Sequence, residues 1–99
     1  MKKFVTYELA VTFYRAARTS NLPYFLKNQL LRASSSVALN LREGSANRSP
    51  KMRQKYYRIA FASAKECQAI FDLEPNQKLE RQIDCICAHI YRLMKSHPS

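Results

Sequence analysis

Ser49-Pro50-Lys51-Met52-Arg53-Gln54-Lys55-Tyr56-Tyr57-Arg58-Ile59-Ala60-Phe61-Ala62-Ser63-Ala64-Lys65-Glu66-Cys67-Gln68-Ala69-Ile70-Phe71-Asp72-Leu73 has the pattern of one long helix with an unusually wide apolar side. It opens with a cap residue followed by proline at the first helical position, where the missing N–H costs nothing. Three faces follow at helical spacing. Met52, Tyr56, Ile59, Ser63, Cys67 and Ile70 make one apolar stripe, and Tyr57, Phe61, Ala64 and Phe71 make a second, turned by roughly a third of the circumference. Lys51, Lys55, Arg58, Ala62 and Lys65 fill the rest. An ordinary surface helix has one apolar stripe of roughly 100°, whereas this arc covers about half the helix. One face suits the interior of a small bundle. The second, aromatic-rich face is expected to be an oligomer interface.

Outward from this segment the same rhythm recurs. Leu26, Leu30, Ala33, Val37 and Leu41 form a stripe before it, and Leu79, Ile83, Ile86, Ile90 and Leu93 form one after it. Val5, Leu9, Phe13 and Ala16 place a fourth stripe near the N-terminus. The single glycine, Gly44, and the prolines Pro23, Pro50 and Pro75 punctuate these stretches, and sheet turns have too little glycine to form. The expectation is an all-α, single-domain chain over residues 1–99, with helices over 3–18, 23–43, 50–73 and 77–95. Short loops make it an up-down-up-down four-helix bundle. Ser34-Ser35-Ser36 lowers helix propensity in the second segment, which close approach of a neighbouring backbone would compensate. Gly44 is expected to stop that helix.

The formal charge is +10, all of it carried between Leu9 and Lys65, where Glu43 is the lone acid. Such asymmetry points to a polyanionic partner. The stretch after Lys65 is nearly neutral. Cys67, Cys85 and Cys87 are odd in number, no secretory leader is apparent, and no apolar run reaches the roughly 20 residues of a membrane span. A cytoplasmic protein with reduced thiols and no membrane partner is expected.

The segment Leu31-Arg32-Ala33-Ser34-Ser35-Ser36-Val37-Ala38-Leu39-Asn40-Leu41-Arg42-Glu43-Gly44 resembles the R-R-A-A-x-S-I-x-x-N-I-A-E-G signature of bacterial four-helix-bundle proteins encoded in intervening sequences of large-subunit ribosomal RNA genes. Arg32, Ala33, Val37, Asn40, Leu41, Glu43 and Gly44 match. The family pattern continues through Arg48, Ser49, Tyr56, Ile59, Ala60, Ser63 and Glu66, and Tyr7-Glu8-Leu9-Ala10-Val11 fits its opening. Met52 stands where the family often has Glu, Ala62 where it has Gly, and Arg42 where it has Ala. The resemblance implies a bundle that assembles into a barrel-like homopentamer without enzymatic activity. A related branch, the accessory protein of diversity-generating retroelements, implies a reverse transcriptase as a further partner.

Among candidate sites, the basic face is foremost. Lys51, Lys55, Arg58 and Lys65, with Arg48 and Arg53 near the helix start, form a row that can follow a phosphate backbone, and binding of nucleic acid, RNA favoured, is preferred to a merely solvated face. Tyr57 beside Arg58 is the nearest place for base stacking, although packing is the preferred fate of the aromatics. Asn40, Glu43 and Gly44 are expected to build a structural turn, with the Asn40 amide bonded to the loop. Cys85 and His89 share a helical face but Cys87 does not, so no metal site is expected, and no cofactor is implied. Arg92 and His97, separated by four residues, are similar to the Arg-His motif of HEPN-type ribonucleases.

The leading reading is a nonenzymatic, basic, oligomeric bundle that binds RNA or a nucleic-acid-handling complex. The alternatives are a small bundle ribonuclease using Arg92 and His97, and an adaptor whose basic face meets an acidic protein such as a reverse transcriptase.

Overall fold

The computed structural model describes residues 4–96. Four helices, α1 (Val5–Arg18), α2 (Tyr24–Ala46), α3 (Pro50–Leu73) and α4 (Gln77–Ser96), follow one another with no strand among the described residues. Connections of only three to five residues, over 19–23, 47–49 and 74–76, force each helix to run antiparallel to the one before it. α2 packs on α1 and α3, and α4 on α3 and α1, so the helices form a square around one core. The 40 Å long axis is set by the 24 residues of α3, about 36 Å at 1.5 Å per residue.

Local sequence explains the boundaries. Ser49 Oγ accepts from the Met52 N–H at 3.3 Å, with Pro50 behind it. Asn76 starts α4 reciprocally: its Oδ1 accepts from the Leu79 N–H at 3.1 Å, while its own N–H donates to Glu80 Oε2 at 3.2 Å. The stripe of α2 is buried throughout, and that of α4 is buried up to Ile90, with Leu93 partly covered.

Three expectations need correction. In α1 the buried residues are Thr6, Ala10, Phe13 and Ala17, and Val5 is half exposed. Phe13 is buried as expected, and Leu9 and Ala16 pack partly buried against the core, while the neighbouring small residues Ala10 and Ala17 take the fully buried positions. In α3, Tyr57, Ala64 and Phe71 are interior residues at 3%, 0% and 2% exposure. The wide apolar arc serves two neighbours within the chain, α2 and α4, so these three cannot form an oligomer interface in the folded subunit. Phe61 alone of that set reaches the surface, half-buried.

The third correction concerns Gly44, which does not stop α2. The helix runs on to Ala46 and the glycine has no positive φ. Its role is spatial: a Cβ there would lie 2.6 and 2.8 Å from Tyr57 ring carbons and 3.3 Å from Tyr56 Cβ. Nearby, Ser36 and Ser63 meet hydroxyl to hydroxyl at 2.8 Å across α2 and α3, which is where the serine run allows close approach. Asn40 joins this pair instead of the loop, its Nδ2 donating to Ser36 O at 2.8 Å and Ser36 Oγ at 3.1 Å. Glu43 is exposed.

Candidate nucleic-acid interface

The core residues of α3 fix which way its remaining side chains point. With Tyr57, Ala60, Ala64, Cys67 and Ile70 inward, Lys51, Lys55, Arg58 and Lys65 are all exposed on the opposite side, with exposed Ala62 among them. From Lys51 to Lys65 the row spans about 21 Å of helix. Arg48 precedes it in the loop and is exposed too. The acids of α3, Glu66 and Asp72, lie in its C-terminal half.

Arg53 does not belong to this row. It is half-buried, and its Nη1 donates to the carbonyls of Asn47 at 2.8 Å and Arg48 at 3.1 Å. Its Nε is buried without an acceptor among the described residues. This guanidinium ties the α2–α3 loop to the first turn of α3, a structural task that sequence spacing could not separate from phosphate binding. Tyr57 likewise is no stacking platform; burial raises its phenol pKa, opposed by the nearby Arg53 charge.

Among the described residues, cations and aromatic rings meet at four places. Lys55 Nζ lies 5.8 Å from the Tyr56 ring centre and the Arg42 guanidinium 5.5 Å from that of Tyr7. On the seam between α3 and α4, Lys65 Nζ is 5.6 Å from the Phe61 ring and Lys95 Nζ 5.4 Å from the Tyr91 ring. Those two rings stand 6.4 Å apart, tilted by 47°, and Tyr91 is 49% exposed. Sequence reasoning missed this cluster. Its trace was the repeated spacing of an aromatic four residues before a lysine, in Phe61/Lys65 and in Tyr91/Lys95.

The cysteines and histidine of α4 diverge. Cys85 is exposed, Cys87 is buried, and His89 Nδ1 lies 3.4 Å from Thr6 Oγ1 on α1. Among the described residues no group of three or more His, Cys, Asp and Glu side chains converges as a metal site. Cys67 is fully buried; burial first, then the Glu66 charge, pushes its thiol up to about 12. Arg92 is exposed, whereas His97 lies outside the described residues. No helix among the described residues is long and apolar enough to cross a membrane.

Neither the curated proteins nor the solved structures offer a significant match to this chain. The family model of the 23S rRNA-intervening sequence protein, however, matches residues 5–95, nearly the whole bundle from the first turn of α1 to the last of α4. The chain belongs to the 23S rRNA-intervening sequence protein family.

Proposed function

We propose that this protein is a nonenzymatic, cytoplasmic, oligomeric bundle that binds RNA through the outer face of α3. The observation that carries the reading is the row of exposed cations Lys51, Lys55, Arg58 and Lys65 on one face. Neutralising phosphates releases counterions, so binding of this kind is salt-sensitive and indifferent to base identity. Replacing Lys51, Lys55 and Arg58 together by Gln is expected to reduce the slope of log affinity against log salt by about 2 to 3, at about 0.7 to 0.9 per contact. Affinity should fall uniformly across RNA sequences. An oligomer that binds no RNA at low ionic strength, or binding untouched by the triple change, transfers the face to an acidic protein partner such as a reverse transcriptase.

Self-association belongs to the same reading, with the homopentamer that the family resemblance implies. With Tyr57, Ala64 and Phe71 inside, the side chains we assign to it are exposed apolar ones of α2 and α3, Phe25, Leu39, Ile59 and Leu73, at 66%, 65%, 38% and 71% exposure. A closed ring would repeat the cationic row on every subunit and raise avidity with no new contact. Light scattering should give a multiple of the 11.5 kDa chain mass, and Leu39→Glu should shift it to the monomer without loss of helicity. A monomeric wild type removes assembly from the proposal and leaves the basic face to act alone.

A further inference from the structure

Point charges on a rigid helix do not distinguish a single strand from a duplex. The seam between α3 and α4 adds groups that do. Phe61 and Tyr91 bring two rings to 6.4 Å, Tyr91 is half exposed, and the neighbouring Ala62 and Ala88 are short, exposed side chains. Lys65 and Lys95 sit over the two rings, and Arg58 lies one turn before Phe61 on the same side of α3. The register is fixed on either side, by Gln68 Nε2 donating to Asp84 Oδ1 at 2.7 Å and by Gln54 Nε2 donating to the Met94 carbonyl. Asp84 is therefore engaged with Gln68, and it stands two helical turns from Tyr91.

We infer that Tyr91, with Phe61 behind it and Lys65, Lys95 and Arg58 around it, is a stacking site for an unpaired base of single-stranded RNA. This deepens the RNA-binding reading and rests on it. Every base has a π-face, but in a duplex those faces are stacked on one another, so an aromatic ring flanked by cations selects unpaired strands. In the free protein the lysine ammoniums cover the rings. Each rides on a flexible four-carbon stem and can move to a phosphate when a base takes its place. An exposed cation–π contact is worth less than a base stack, so the exchange is favourable. The site adjoins the cationic row at Arg58 and Lys65, which continues the path of the phosphate backbone.

The test uses the full chain with a fluorescein-labelled, unstructured RNA of about 15 nucleotides, within the span of known single-strand sites, and a blunt duplex of the same length. Wild type should bind the single strand more tightly. Tyr91→Ala should weaken single-strand binding on the order of ten-fold, leave duplex binding unchanged and leave the salt slope unchanged. Tyr91→Phe should retain wild-type affinity, while Tyr91→Leu, which keeps apolar bulk without a π-face, should behave as Tyr91→Ala. Lys95→Gln should lower the salt slope by about 0.7. Equal loss for both RNAs in Tyr91→Ala, or full affinity in Tyr91→Leu, overturns the stacking site while the basic-face reading stands. If wild type binds neither RNA at low salt, both fall together.

Discussion

Gly44→Ala is the sharpest probe of how α2 and α3 are joined, because two known effects oppose each other. In an exposed helix the change is favourable by about 1 kcal/mol of propensity. Here the new methyl would sit 2.6 and 2.8 Å from two Tyr57 ring carbons, whereas carbon atoms rest at about 3.5 to 4.0 Å. The ring must retreat by about 1 Å. Tyr57 is only 3% exposed and lies against Phe4, ring centre to ring centre 6.5 Å, so it has little room. Overpacking of this kind costs about 1 to 3 kcal/mol. The net expectation is a loss of up to about 2 kcal/mol, and at roughly 4 to 8 °C per kcal/mol for a domain of this size a Tm lower by up to about 8 to 16 °C. Circular dichroism melts at one fixed protein concentration read it, since the Tm of any self-associating protein depends on concentration. The decisive control is a double-mutant cycle: in the Tyr57→Leu background Gly44→Ala should cost nothing or stabilise. A Gly44→Ala protein that melts at or above wild type would show that the ring moves freely and that the glycine is not there for space.

Other expectations follow from single contacts. The Cys67 thiol, raised from its ordinary 9.0 to about 12 by burial, favours the folded state fully below pH 9 and progressively less as pH climbs toward 12, because only the unfolded chain releases its proton readily. Cys67→Ala should therefore flatten the alkaline decline of stability relative to wild type, and at pH 8 a disulfide reagent should modify exposed Cys85 while sparing Cys67 until the protein unfolds. Arg53→Met should cost about 1 to 3 kcal/mol through two lost charge-assisted bonds to the 47–48 carbonyls, read as a lower urea midpoint, without changing the salt slope of RNA binding. Lys51→Glu should raise Tm slightly and weaken RNA binding, opposite signs from one substitution.

The fold was legible where aliphatic residues carry the period. Leu26, Leu30, Val37 and Leu41 announced the buried face of α2, and Ser49-Pro50 the start of α3, and both stand as expected. In α1 the rhythm of Val5 and Leu9 misled, because Ala10, Ala17 and Thr6 do the packing and small residues weigh little in any count of apolarity. The breadth of the α3 arc was read correctly and interpreted wrongly: a helix at the corner of a square needs two apolar flanks, and periodicity cannot tell an internal neighbour from a second subunit. The same limit governs the site. Lys51, Lys55, Arg58 and Lys65 were visible as a row, but the inward turn of Arg53 depends on loop carbonyls. The meeting of Phe61 with Tyr91, thirty residues apart in sequence, depends on the register of α3 against α4.

The placement of charge on α3 argues for function more strongly than its amount does. A helix N-terminus carries a partial positive charge and is stabilised by acids, yet the first turn of α3 has none and holds Lys51 instead. Lys51 and Lys55 stand four residues apart and Arg58 three further on, spacings at which like charges repel by a few tenths of a kcal/mol each. No acid of that half of the helix relieves them. Elsewhere the chain uses ordinary stabilising devices: Asn76 and Glu80 close the start of α4 reciprocally, and Lys95 ends it with the charge its dipole favours. α4 thus carries termini matched to its dipole, whereas α3, although capped by Ser49, keeps cations in mutual repulsion along its first half. Conflict between local rule and observed residue gathers at functional sites, and a polyanion laid along the row resolves every part of it at once: it neutralises the lysines, answers the dipole and turns their mutual repulsion into affinity.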